Sequence, residues 1–183
     1  MALKATIFKA SLQVADLDRN YYGEHALTLA RHPSETDERM MMRVLAFALN
    51  AHEGLEFGKG LSDSDEPDLW QKDLTGRIVH WIEVGQPDEK RLIRASGRAD
   101  QVTVYTYGRS AEPWWEANSG RLARAKNLEV WRVPAEAGDS LKKLASRAMQ
   151  LQCTVQEGQL WFGSAAETAQ FSLASLKPRN PAG

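Results

Sequence analysis

A single cysteine among 183 residues rules out an internal disulfide, so no covalent cross-link holds this chain together. Cys153 lies in the alternating run Leu151-Gln152-Cys153-Thr154-Val155, a setting that predicts a small inward-facing apolar side chain rather than a reactive thiol. Long hydrophobic runs are missing too. No segment approaches the ~20 apolar residues of a membrane span, and the start Met-Ala-Leu-Lys-Ala-Thr-Ile-Phe-Lys has no signal-peptide core or cleavage site. The expectation is a bacterial-type cytoplasmic protein with no membrane association. Nor is there an excess of either charge: Lys+Arg 23 against Asp+Glu 24 leaves −1, so nothing global attracts nucleic acid and any basic surface is a local patch. GxGxxG, P-loop, HExxH and CxxC patterns are all absent, which argues against dinucleotide, nucleoside triphosphate and structural zinc chemistry. His25, His32, His52 and His80 show no metal-ligand spacing and read as structural.

What is present is ordinary globular material, 43% hydrophobic and 26% charged, which predicts one domain over residues 1–176. The tail 177–183, with Pro178 and Pro181, reads as flexible. Thr6, Phe8, Ala10, Leu12 and Val14 alternate, a polar turn follows at Asp16 to Asn20, and Tyr21 to Ala30 completes a long hairpin. Acids at Glu35, Asp37 and Glu38 then precede Met41, Met42, Leu45 and Leu49 at helical spacing, with Glu38 at the head of the apolar stripe and facing inward. Beyond this helix, the spacing predicts a short strand near Leu55 and a hairpin turning at Asp73 to Gly76. A helix with Pro87 in its first turn follows, then a strand from Gln101, a helix carrying Trp114 and Trp115, and a strand from Leu128. A helix over Ser140 to Met149 and a hairpin at Glu157-Gly158 complete the pattern. Trp114, Trp115 and Trp131 read as core or interface rather than base-stacking platforms. The fold class is a mixed α/β domain whose sheet is covered on both sides by helices.

The informative stretch runs from Glu66 to Ala95, "EPDLWQKDLTGRIVHWIEVGQPDEKRLIRA". Two acids stand where a core hairpin calls for apolar side chains. Asp68 follows a proline at the mouth of one run, and Glu83 ends the run Ile78-Val79-His80-Trp81-Ile82. Burying a carboxylate costs several kcal/mol (about 3–5 when its partner is lost) unless it is paired, hydrogen-bonded or bound to a metal. From the residues alone, Asp68 as a turn and strand cap stands beside Asp68 as a ligand. For Glu83, an ion pair with Arg94 or Arg43 stands beside metal binding. Arg91, Arg94 and Arg98 recur at helical spacing and read as a solvated face.

An α-β-β-β-α-β order, with an acid on the first helix, Pro-Asp opening one strand and Glu ending the next, resembles the core of the PD-(D/E)XK restriction-endonuclease-like superfamily. Here that core would carry an N-terminal β-hairpin and C-terminal α/β additions. The segments "MALKATIFKASLQVADLDRN", "LARHPSETDERMM", "EPDLW" and "WIEVGQPDEKR" are similar to the YaeQ family, an uncharacterised bacterial branch of that superfamily. The resemblance implies that Asp68, Glu83 and Glu38 are the acids that hold Mg²⁺ or Mn²⁺ for phosphodiester hydrolysis. It also implies a lysine two residues after Glu83, where this chain has Gly85. The basic role would then move to Arg94, which could lean back over the sheet end and grip a phosphate bidentately, or to Lys72, which shares strand parity with Asp68. Gln86 is adjacent to the vacant position but points to the opposite face of a regular strand. Two functions follow: a metal-dependent phosphodiesterase or nuclease with a displaced basic residue, or an inactive nuclease-fold module that binds nucleic acid or a protein partner.

Overall fold

The computed structural model describes residues 4–180, which divide into two compact units. One comprises the chain up to Ala51 together with Glu136–Ser172; the other comprises His52–Ala135 and the segment from Leu173 onward. Each is built on its own mixed sheet, and the described residues contain four α-helices and no barrel. This corrects the expectation of one sheet covered on both sides. The N-terminal hairpin does not extend the sheet that carries the acids; it founds another.

In the first unit, β1 (Thr6–Asp16) and β2 (Tyr21–Arg31) form the expected hairpin, and Phe8, Ala10, Leu12 and Val14 are buried on one face. The turn is closed locally, because Asp16 accepts hydrogen bonds from Arg19 N–H at 3.0 Å and Arg19 Nε at 2.9 Å. Helix α1 (Asp37–Leu49) starts at Thr36, whose hydroxyl caps Arg39 N–H at 3.1 Å, and buries every residue from Met40 to Ala48. The buried Arg43 is satisfied by Glu35, with Nε and Nη2 at 2.9 and 2.6 Å.

The second unit begins with β3 (Leu55–Phe57), β4 (Leu69–Lys72) and β5 (Ile78–Val84), followed by α2 (Glu89–Arg98), β6 (Ala99–Thr106), α3 (Ala111–Leu122) and β7 (Leu128–Arg132). The order from α1 through β6 is the α-β-β-β-α-β series read from the sequence. Strands β5, β6 and β7 run parallel, and β4 and β3 continue the sheet antiparallel from β5. Trp81, Val102, Val104, Leu128 and Val130 of the strands pack with Leu92, Ala95 and Leu122 of the helices, and Trp114 and Trp115 lie against that core. Pro87 precedes the helix rather than lying in its first turn, because Asp88 is the cap and accepts from Lys90 N–H at 2.8 Å.

The C-terminal region differs from expectation in two places. The helix expected over 140–149 is α4 (Ala135–Lys143), and Ala148 already opens β8 (Ala148–Gln156). Period-two burial of Met149, Leu151, Cys153 and Val155 overrides the helical spacing there. Cys153 is buried, and desolvation pushes its thiol up to about 12, so it is inert at neutral pH. Strand β9 (Gln159–Gly163) returns through Glu157 and Gly158, both at positive φ, and β10 (Thr168–Ser172) completes the order β10-β9-β8-β1-β2.

The start of the expected tail is ordered. Lys177 ends β11 (Ala174–Lys177), its Nζ donates to the Ala125 and Leu128 carbonyls at 2.8 Å each, and Asn180 N–H donates to Lys126 O at 2.9 Å. The rest of the tail, 181–183, lies outside the described residues.

Candidate functional site

Strands β4 and β5 pair with Leu69 opposite Ile82. Continuing that antiparallel register by one residue sets Asp68 opposite Glu83, so both carboxylates emerge from the same face at the same end of the sheet. Glu83 shares that face with Trp81, two residues earlier on β5, which packs in the core beneath α2. Both acids are buried, Asp68 at 2% and Glu83 at 4% exposure, so the cost anticipated for them is real.

Asp68 is held by the end of β5 and by the chain just after β3. Its Oδ2 accepts from Val84 N–H at 2.9 Å, while its backbone carbonyl accepts from Gly58 N–H at 3.0 Å. Gly60, at φ +49, leaves the room: a Cβ there would lie 2.7 Å from Asp68 Oδ1.

Glu83 is held by Arg91, whose Nε donates to Oε1 at 2.5 Å. The same guanidinium donates from Nη2 to Glu66 O at 2.7 Å and from Nη1 to Ser64 O, tying the loop before β4 to the carboxylate. Glu83 Oε2 is buried without a hydrogen-bonded partner, and so is the indole N–H of Trp81, although the indole still favours the charged carboxylate. Burial raises the Glu83 carboxyl above the ordinary glutamate range, and the negative charge of Asp68 raises it further; Arg91 opposes both without cancelling them. Of the two acids, it is Glu83 whose charge is opposed by its surroundings.

Within the second unit, the other residues picked out from the sequence fall elsewhere. Glu83 pairs with Arg91, in place of the expected Arg94 or Arg43, because only four residues, Gly85 to the cap Asp88, separate β5 from α2. The first helical turn thus folds back beside the strand end, and each further turn moves about 5.4 Å away. Arg94, one turn on, lines a groove against α3. Lys72 closes β4 at the end opposite Asp68, roughly 13 Å along the strand, where its Nζ lies 3.8 Å from the Trp70 ring centre. Gln86 donates to Thr106 Oγ1 at 3.1 Å and Tyr107 O at 2.6 Å, bracing the end of β6. Glu38 belongs to the first unit, where its carboxylate abuts Gly138 of α4 so closely that a Cβ on Gly138 would collide with it.

The vacant lysine position has a backbone explanation. Gly85 adopts φ +96, a conformation that L side chains rarely take, and donates its N–H to Tyr105 O at 2.9 Å. Among the described residues, no three or more His, Cys, Asp or Glu side chains gather into a metal-binding group.

Fold and site define a mixed α/β protein with a buried pair of acids at the end of an antiparallel strand pair. By sequence, the chain belongs to the YaeQ family: the pattern of the family described as "YaeQ protein" matches residues 1–173. It is 45% identical over 176 residues to the uncharacterized protein YaeQ of Salmonella typhi, covering 96% of this chain and 97% of that protein. The same protein of Escherichia coli K12 is 44% identical over the same length, again covering 96% and 97%. Two crystal structures share the fold. YaeQ from Xanthomonas axonopodis pv. citri superposes with a TM-score of 0.91 at 43% identity over 94% of this chain and 98% of that one. YaeQ from Pseudomonas syringae gives 0.89 at 38% identity over 95% and 97%.

Proposed function

We propose that Asp68 and Glu83 form a divalent-cation site of the PD-(D/E)XK type and that the chain is a Mg²⁺- or Mn²⁺-dependent phosphodiesterase acting on nucleic acid. The observation that carries this reading is the orphaned Glu83 Oε2. It is buried without a hydrogen bond, on a carboxyl raised above the usual glutamate range chiefly by burial and, to a lesser extent, by the charge of Asp68 across the strand pair. A cation between the two acids would remove both penalties.

The donor set suits a hard cation. Mg²⁺ keeps several waters and is usually bound through one or two carboxylates, so two acids are enough and nitrogen or sulfur ligands are not needed. When bound, the cation would acidify a water and neutralise charge on the attacked phosphate. The protein's own residues do the positioning. Val84 N–H fixes Asp68, and Arg91 occupies Glu83 Oε1 and leaves Oε2 without a hydrogen bond. With Gly85 at the motif position, Arg91 is also the cation beside the acids, which gives it the displaced basic role in place of Arg94 or Lys72.

A second reading rests on the same arginine. Arg91 engages Glu83, Ser64 and Glu66 together, as it would if a fixed guanidinium had replaced the metal and left a binding module.

Hydrolysis of a fluorogenic phosphodiester and of end-labelled oligonucleotides, with Mg²⁺, Mn²⁺ or EDTA, separates the two. The proposal expects cleavage that EDTA abolishes and that Asp68→Asn lowers by at least about a hundredfold. Cleavage by purified protein that survives Asp68→Asn, or none with either metal, favours the module.

A further inference from the structure

On α2, the neighbours of Arg91 face a different surface. Lys90, Ile93 and Arg94 line one wall of a groove of about 820 Å³ whose other wall is Gly120 and Arg121 of α3 with Arg124 just beyond it. Glu89 is the acid in this lining, and Arg121 Nη1 neutralises it at 2.7 Å. Lys90, Arg94 and Arg124 have no ion-paired or hydrogen-bonded partner among the described residues, and all three are exposed. Three uncompensated cations thus converge on one concavity of a chain whose net charge is −1. Such convergence makes the concavity locally positive and suits an anion with several separated charges.

We propose that this groove binds a single strand of nucleic acid through its phosphates. Lys90 and Arg94 stand one helical turn apart, about 6 Å along α2, so the cations form rows suited to a repeating anion rather than a cluster suited to one phosphate. The walls are two packed helices, α2 and α3, and an open trough between them suits an unpaired strand whose phosphates and bases are both free to make contact. Ile93 and the bare Cα of Gly120 supply an apolar strip for a sugar or base, and a Cβ at Gly120 would meet nothing within 4 Å. The inference goes beyond the cation site, since binding here requires neither metal nor cleavage.

The test is fluorescence anisotropy of a short labelled oligothymidylate in EDTA, titrated at several salt concentrations. Wild type is expected to bind with affinity falling steeply with salt. Arg94→Ala with Arg124→Ala should flatten the log–log salt slope by about 1.4, at roughly 0.7 per lost phosphate contact. Gly120→Leu blocks the strip without touching a charge and is expected to weaken binding while leaving the melting temperature unchanged or higher. Competition identifies the occupant. A duplex or ATP that displaces the oligothymidylate as well as unlabelled single strand does overturns the strand assignment. No binding at low salt, or binding indifferent to these variants, overturns the site.

Discussion

Glu83 is the residue on which the site turns, because its charge is opposed by burial and by Asp68 and supported by Arg91. A folded-state carboxyl raised above its unfolded value contributes most while protonated, and the contribution is lost as pH rises through the folded value. Wild type should therefore lose stability relative to Glu83→Gln between about pH 4 and pH 7, and at neutral pH the variant should be at least as stable. Glutamine keeps an oxygen for Arg91 Nε, so the guanidinium is not stranded. Urea unfolding at the two pH values checks this; a variant whose relative stability falls as pH rises would mean that Arg91 outweighs desolvation. The two acids were legible in the sequence because carboxylates at the ends of apolar runs conflict with the pattern around them. Their partner was not. Arg91 and Arg94 look equivalent by helical spacing, and only the short link from Val84 to the Asp88 cap decides which one returns to the strand end.

At the level of elements, the turn after β5 accounts for Gly85 standing where the nuclease resemblance implies a lysine. Gly85 needs φ +96 to carry the chain from the strand toward α2, so a side chain would be strained even though the space around it is open. Gly85→Lys is predicted to cost about 1–2 kcal/mol in chemical denaturation, with no gain in hydrolysis. An unchanged midpoint would show that the turn tolerates a side chain. Elements with strong periodicity, such as β1, α1 and β5, were legible throughout. The 140–149 region was not, since Leu141 and Leu144 at helical spacing run into Met149 and Leu151 at strand spacing, and the boundary between them is set by pairing of β8 with β1 far away in the chain. That same pairing, parallel and between Lys9–Asp16 and Ala148–Val155, is why the N-terminal hairpin has its own sheet, which no local pattern announces.

For the whole molecule, near-neutral charge and ordinary composition leave the proposed functions to small features, a pair of acids and one basic groove. No helix among the described residues is long and apolar enough to cross a membrane. The fold is that of the YaeQ family, and the chemistry proposed for it rests on the two acids. The most direct measurement is the melting temperature of wild type and Glu83→Gln with and without Mg²⁺ or Mn²⁺. A cation that binds only the folded protein adds about 2.7 kcal/mol at a hundredfold excess over its Kd, a rise of roughly 5–10 °C for a chain of this size. The account predicts that rise for wild type, shrinking as pH falls because the proton competes with the metal for Glu83, and its disappearance in Glu83→Gln. A wild-type melt that millimolar metal leaves unmoved would contradict it, and Asp68 and Glu83 would then be parts of the fold alone.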